Sequence, residues 1–131
     1  MSQGITTPGR QARILVVDDD DAIQELIATT LIDEGYQAAT APHGAAALKL
    51  LDEPPDLILL DMRMPVMDGW QFAQAYSATP GPHAPIIVLT AARDAAGVAA
   101  QVGAVAYLPK PFLLDDLLDL VNRTLDHHAC V

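Results

Sequence analysis

Cysteine is almost missing from this sequence: Cys130 is the single one among 131 residues, so no disulfide can close within the chain and no cysteine metal cluster can form. A reducing, cytoplasmic setting is therefore expected. Basic residues are scarce as well. Seven Lys and Arg face seventeen Asp and Glu, a formal net charge of -10, whereas nucleic acid and anionic membrane both reward clustered Lys and Arg. Neither is expected as a direct partner. Met1 to Ala12 hold no apolar leader core, and no apolar run approaches the roughly 20 residues that span a bilayer. A glycine-rich phosphate loop is also absent after the first aliphatic run, where Asp18 to Asp21 stand instead; this excludes a nucleotide or flavin binder of the glycine-loop kind.

What is present is enough apolar material, 51% of residues, for one sizeable core. Gly, Thr and Pro without hydrophobic period mark residues 1–11 as a flexible tail, followed by one domain over 12–128 and a short tail at 129–131. Unbroken aliphatic runs occur at Ile14–Val17, Leu57–Leu60 and Ile86–Leu89, with weaker ones at Tyr36–Thr40 and Ala104–Leu108. Runs that do not alternate predict strands buried on both faces, as in a parallel sheet.

Helical patterns separate these runs. Ile23, Leu26, Ile27, Thr30 and Leu31 give one apolar face, with Asp20 and Asp21 placed to cap and charge the first turn. His43–Leu51, Gly69–Tyr76, Asp94–Gln101 and Leu114–Leu125 complete a fivefold strand–helix alternation. The predicted fold is α/β, a doubly wound five-stranded parallel sheet in the order 2-1-3-4-5 with five helices. Gly97 amid alanines costs its helix about 1 kcal/mol relative to Ala, so the fourth helix is expected to be short or mobile.

In such a sheet, ligands bind beyond the carboxyl ends of the strands, near the point where strand order reverses. Polar residues stand there after four of the five runs: Asp18 and Asp19, Asp61, Thr90, and Lys110 between two prolines. Three clustered carboxylates repel by roughly 4 kcal/mol per pair at about 4 Å and an effective dielectric near 20, so they call for a cation. Mg2+ suits an all-oxygen set that leaves room for phosphate oxygens. A carboxylate beside Mg2+, with a lysine and a hydroxyl across the pocket, is suited to phosphoryl transfer. Asp61, alone after a fully apolar run, is the better nucleophile; Lys110 would pair with phosphoryl oxygens and Thr90 would donate to one.

Ile14-Leu15-Val16-Val17-Asp18-Asp19-Asp20, Leu60-Asp61-Met62-Arg63-Met64-Pro65 with Asp68-Gly69, Leu89-Thr90-Ala91, and Tyr107-Leu108-Pro109-Lys110-Pro111-Phe112 together resemble the response-regulator receiver family of two-component signalling. The resemblance runs from about Arg13 to Leu125 and implies a flavodoxin-like, CheY-like fold. It implies that Asp61 is the phospho-acceptor and that Asp19, Asp61 and the Arg63 backbone carbonyl ligate Mg2+ directly. Asp18 would act largely through water. It further implies a cis Lys110–Pro111 peptide and a coupled switch pair in which Thr90 moves toward the phosphate and Tyr107 rotates inward behind it.

The implied role is a stand-alone signalling switch, not an enzyme, that assists its own aspartyl phosphorylation and dephosphorylation. Its phosphoryl group would come from a sensor histidine kinase or a histidine phosphotransfer protein. It would act on an unknown downstream protein through the fourth helix, fifth strand and fifth helix. Leu113 and Leu120, off the main apolar stripe of the last helix, are candidate contacts there.

Two other functions compete. A receiver-shaped adaptor that does not cycle phosphate would share the fold but has no need of the full site set. A small phosphatase with an Asp nucleophile would fit Asp18-Asp19-Asp20 as Asp-x-Asp, yet the expected Gly-Thr or Gly-Val does not follow, and no acidic pair stands at a strand end after Lys110. His43, His83, His127 and His128 lack any spacing for a zinc site or catalytic pair. Trp70 is expected on the third helix, near enough to the site to report on it.

Overall fold

The computed structural model describes residues 12–64 and 66–129; the expected N-terminal tail and Cys130 lie outside them. Strands β1 (Arg13–Val17), β2 (Gln37–Ala41), β3 (Leu57–Asp61), β4 (Ile86–Thr90) and β5 (Ala106–Pro109) alternate with helices α1 (Asp21–Asp33), α2 (Gly44–Lys49), α3 (Gly69–Ser77), α4 (Ala95–Val102) and α5 (Leu114–Ala129). All strand pairs are parallel, and the order is β2-β1-β3-β4-β5, as the sequence predicts.

Successive strand side chains point to opposite faces, which divides the aliphatic runs between two cores. Leu15, Val17, Ile58, Leu60 and Val88 pack with Ala47 of α2, Phe72, Ala73 and Tyr76 of α3, and Ala99 of α4. Ile14, Val16, Leu57, Leu59, Ile87 and Leu89 pack with Ile27 and Leu31 of α1 and with Leu117 and Val121 of α5. Coverage on both faces explains why β3 and β4 are buried at every residue and why their sequences run apolar without alternation.

Side chains fix the helix starts. The Asp20 carboxylate accepts from the backbone N–H of Ala22 and Ile23, Asp68 and Gln71 form a capping box on α3, Asp94 accepts from Gly97 N–H, and His43 Nδ1 accepts from Ala46 N–H. Such caps satisfy orphan first-turn donors and contribute about 1 kcal/mol each.

Several boundaries differ from the sequence expectation. Helix α2 stops at Lys49 because the N–H of Leu50 turns back to the Ala47 carbonyl and that of Leu51 to the Leu48 carbonyl, at 3.0 and 3.3 Å, tightening the last turn. Strand β5 starts at Ala106 because Gly103, at φ 73, ends α4 left-handed while Ala104 N–H bonds back to the Ala99 carbonyl. Helix α4 has eight residues, short as its glycine and alanines suggest. Leu120 is a correction: it packs in part against the α1 and α5 core, because the buried stripe of α5 is wider than the expected one. Leu113 is 68% exposed.

Candidate functional site

Parallel strands deliver their C-terminal ends to one rim, and the register pairs Val17 with Leu60, Asp61 with Leu89 and Thr90 with Pro109. Asp18, Asp61, Thr90 and Lys110 are thereby set side by side, at the β1–β3 crevice where strand order reverses. The Asp18 backbone N–H donates to the Ala41 carbonyl at 3.1 Å, fixing the chain as it leaves β1. The Lys110 N–H donates to the Thr90 carbonyl at 2.8 Å, holding Lys110 against β4, and the Lys110–Pro111 peptide is cis.

The Lys110 ammonium lies 3.2 Å from Asp18 Oδ2 and 3.4 Å from Asp61 Oδ1, joining two carboxylates that are 0% and 6% exposed. Asp18 Oδ1 also accepts from the Asp20 backbone N–H at 2.9 Å. Asp19 is exposed, yet one oxygen from each of Asp18, Asp19 and Asp61 lies within 4.8 Å of the others. Thr90 is 4% exposed, and its Oγ1 accepts from Ala92 N–H at 3.1 Å.

Burial, followed by the Asp18 charge, pushes the Asp61 carboxyl from 3.8 up to about 6, against the opposing pull of Lys110 and of the Arg63 backbone N–H. Burial alone would lower the Lys110 ammonium, but Asp18 and Asp61 outweigh it and the net shift is upward. One ammonium thus pairs with two acids withdrawn from water while the third, Asp19, stands nearby without a share in it, and the cluster is left short of positive charge. An oxygen-only donor set with that deficit fits a hard divalent cation such as Mg2+.

The loop after Asp61 is held close. The Gly69 N–H donates to the Met62 carbonyl at 3.1 Å, and a Cβ on Gly69 would come within 2.5 Å of Met62 Sδ and 2.8 Å of Met62 Cα, so the Asp-Gly step admits no side chain there. The Arg63 side chain is exposed. Tyr107 is 43% exposed and borders a groove of about 420 Å3 between α4 and β5, lined also by Ala96, Ala99, Ala100 and Val105. Trp70 sits on α3 and its indole N–H donates to Gln101 of α4 at 3.2 Å. The histidines stay apart: His43 caps α2, and His83 contacts Thr79 and Tyr76. The side chains of His127 and His128 lie outside the described residues.

Sequence reasoning misses Gln24, whose side-chain amide donates to the Asp18 carbonyl at 3.0 Å; a glutamine on an early helical turn belongs to no motif. An apolar cavity of about 320 Å3 beside Lys110, lined by Ile23, Leu26, Ile27 and Phe112 among others, also carries no sequence signal, since its walls come from both ends of the chain.

Residues 14–122 match the family described as response regulator receiver domain. The chain is 43% identical over 117 residues to response regulator MprA of Mycobacterium sp. (strain KMS), covering 86% of this chain and 50% of that protein. It is 38% identical over 122 residues to the DNA-binding transcriptional regulator NtrC of Proteus hauseri, covering 91% of this chain and 26% of that one. It therefore spans between a quarter and a half of the length of these curated relatives. Among solved structures, a CheY-like receiver domain protein from Methanospirillum hungatei JF-1 aligns with a TM-score of 0.79 at 30% identity, covering 90% of this chain and 96% of that one. Chemotaxis protein CheY4 of Vibrio cholerae aligns at 0.75 and 34%, covering 88% and 99%.

Proposed function

This chain belongs to the response regulator receiver domain family, and from that premise we propose that it is a phosphorylation switch in which Asp61 accepts a phosphoryl group. The observation that carries the reading is the Lys110 ammonium between the buried Asp18 and Asp61 carboxylates, 3.2 and 3.4 Å away. With its carboxyl at about 6, Asp61 is mostly ionised at neutral pH and able to attack.

An Asp61 carboxylate oxygen bonds to phosphorus while the phosphorus–nitrogen bond of a phosphohistidine breaks, and the electron pair leaves with the imidazole nitrogen. The donor is a sensor histidine kinase or a histidine phosphotransfer protein. Lys110 passes from its Asp61 partner to the phosphoryl oxygens, and attack by water later returns Asp61 and free phosphate. Asp19, Asp61 and the Arg63 carbonyl, with Asp18 acting through water, would hold Mg2+, which when bound would neutralise charge on the transferring group.

The signal then passes along the rim. Thr90 Oγ1, now accepting from Ala92 N–H, donates instead to a phosphoryl oxygen, and Tyr107 turns into the space behind it. This is a population shift driven by hydrogen bonds that exist only with the phosphate present. It alters α4, β5 and α5, where a downstream protein binds. Among the described residues no helix is long and apolar enough to cross a membrane, and the family and the single cysteine favour a cytoplasmic setting. The stand-alone reading is tested by the size of the native protein in cells.

For the chemistry, the protein is incubated with Mg2+ and acetyl phosphate and weighed intact. The expected result is one acid-labile phosphoryl group on the wild type and none on Asp61→Asn. No gain by the wild type, from acetyl phosphate or from its kinase, would overturn the proposal in favour of an adaptor that does not cycle phosphate.

A further inference from the structure

Gln24 grips the acidic loop at two carbonyls. Its side-chain amide nitrogen donates to the Asp18 carbonyl at 3.0 Å, and its backbone N–H donates to the Asp20 carbonyl at 2.9 Å. The first contact reaches outside the helix. The Asp18 carbonyl and the Asp19 amide share one planar peptide unit, so holding the carbonyl sets the direction in which Asp19 leaves the chain.

Asp19 depends on that more than its neighbours do. Asp18 is buried and held through its carboxylate by the Asp20 N–H and Lys110, and Asp61 is held by Lys110 and the Arg63 N–H. The Asp19 carboxylate is exposed and makes no hydrogen bond or ion pair among the described residues. Its oxygen still lies within 4.8 Å of those of Asp18 and Asp61. The backbone must supply what the side chain lacks: the Asp18 N–H is held by the Ala41 carbonyl on the strand side, and the Asp18–Asp19 peptide that follows is held at its carbonyl by Gln24 on the helix side.

We infer that Gln24 is a positioning residue for cation binding: by holding the Asp18 carbonyl it preorganises the exposed Asp19 carboxylate toward Asp18 and Asp61. The inference rests on the reading that these three acids bind Mg2+. A merely structural Gln24 would satisfy a half-buried carbonyl and stabilise the fold without bearing on the metal, so the test separates affinity from stability.

Mg2+ is titrated calorimetrically into the full chain as wild type, Gln24→Met and Gln24→Ala. Met keeps the length without the donor, and Ala, the strongest helix former, carries the test if Met does not fold. The expected result is a dissociation constant for Mg2+ raised about 10-fold, the low end for groups that orient metal ligands. The matching kinetic signature with acetyl phosphate is a rise in half-saturating Mg2+ that exceeds any change in the rate at saturation. Unchanged Mg2+ affinity in a folded variant overturns the inference, even if its melting temperature falls. A wild type that takes up no Mg2+ removes the metal reading itself, and the inference with it.

Discussion

Strands β3 and β5 each deliver a charged residue to the same rim, yet they are built in opposite ways. Strand β3 is central and buried at all five residues, so Asp61 ends a segment with packed side chains on both faces. Strand β5 is an edge strand of four residues in alternating exposure, bordered by the alanine-rich α4 and an open groove. A nucleophile needs a fixed position, and a reporter needs somewhere to go. The contrast suits the proposed switch, with its chemistry on the first and its response on the second, because local opening concentrates where few apolar contacts are made.

Truncation should measure that contrast most strongly. Leu59→Ala is expected to cost about 3–4 kcal/mol in denaturant unfolding, since Leu59 is fully buried and its loss leaves a cavity. Tyr107→Ala, removing a side chain that is 43% exposed, should cost below about 1 kcal/mol. Equal costs would abolish the distinction between the strands.

The next effect concerns the charge that links them. Lys110→Met leaves the Asp18 and Asp61 carboxylates without their shared cation and should destabilise the protein by about 3 kcal/mol at neutral pH. Urea titration would show this, and added Mg2+ should recover part of the loss. A variant as stable as the wild type would show that the rim carries no uncompensated repulsion.

Asp61→Asn should act in the other direction. The folded carboxyl titrates near 6 against 3.8 for the ordinary group, so the fold binds the proton more tightly than the unfolded chain does. Stability associated with protonated Asp61 is complete below about 3.8 and is lost as pH rises through about 6. Each pH unit between those two titrations is worth about 1.4 kcal/mol. The variant should therefore match the wild type near pH 3.5 and exceed it by roughly 2–3 kcal/mol above about pH 6.5. Melting curves across this window would check it, and a constant difference at all pH values would refute the assignment.

Smallest is the effect expected at Val66, on the loop between β3 and α3. A β-branched residue at φ 68, 77% exposed and therefore little compensated by packing, is strained. Val66→Gly should raise stability by about 1 kcal/mol. A fall in melting temperature would mean that the loop draws support from the valine side chain.

The same contrast governs how much can be read from the sequence. Strands β3 and β4 are legible because burial on both faces writes itself as an unbroken aliphatic run, and Asp61 and Thr90 stand where those runs stop. Asp20 announces α1 because a cap needs a specific side chain at a specific place. Strand β5 is legible only roughly, since its start depends on how Gly103 and Ala104 close α4. Leu120 misleads because α5 buries a broader stripe than the sequence pattern marks. Gln24 leaves no trace, since its role lies in a bond to a backbone carbonyl six residues earlier, which only the folded turn creates.

The division between a fixed nucleophile and a yielding reporter is decided by amide hydrogen exchange of the protein with and without Mg2+ and acetyl phosphate, with intact mass recording phosphoryl gain on the same sample. Phosphorylation is expected to change exchange across α4, β5 and the start of α5 while β3 stays as protected as before. Phosphorylated protein whose α4 and β5 exchange unchanged, or whose β3 opens instead, would contradict it.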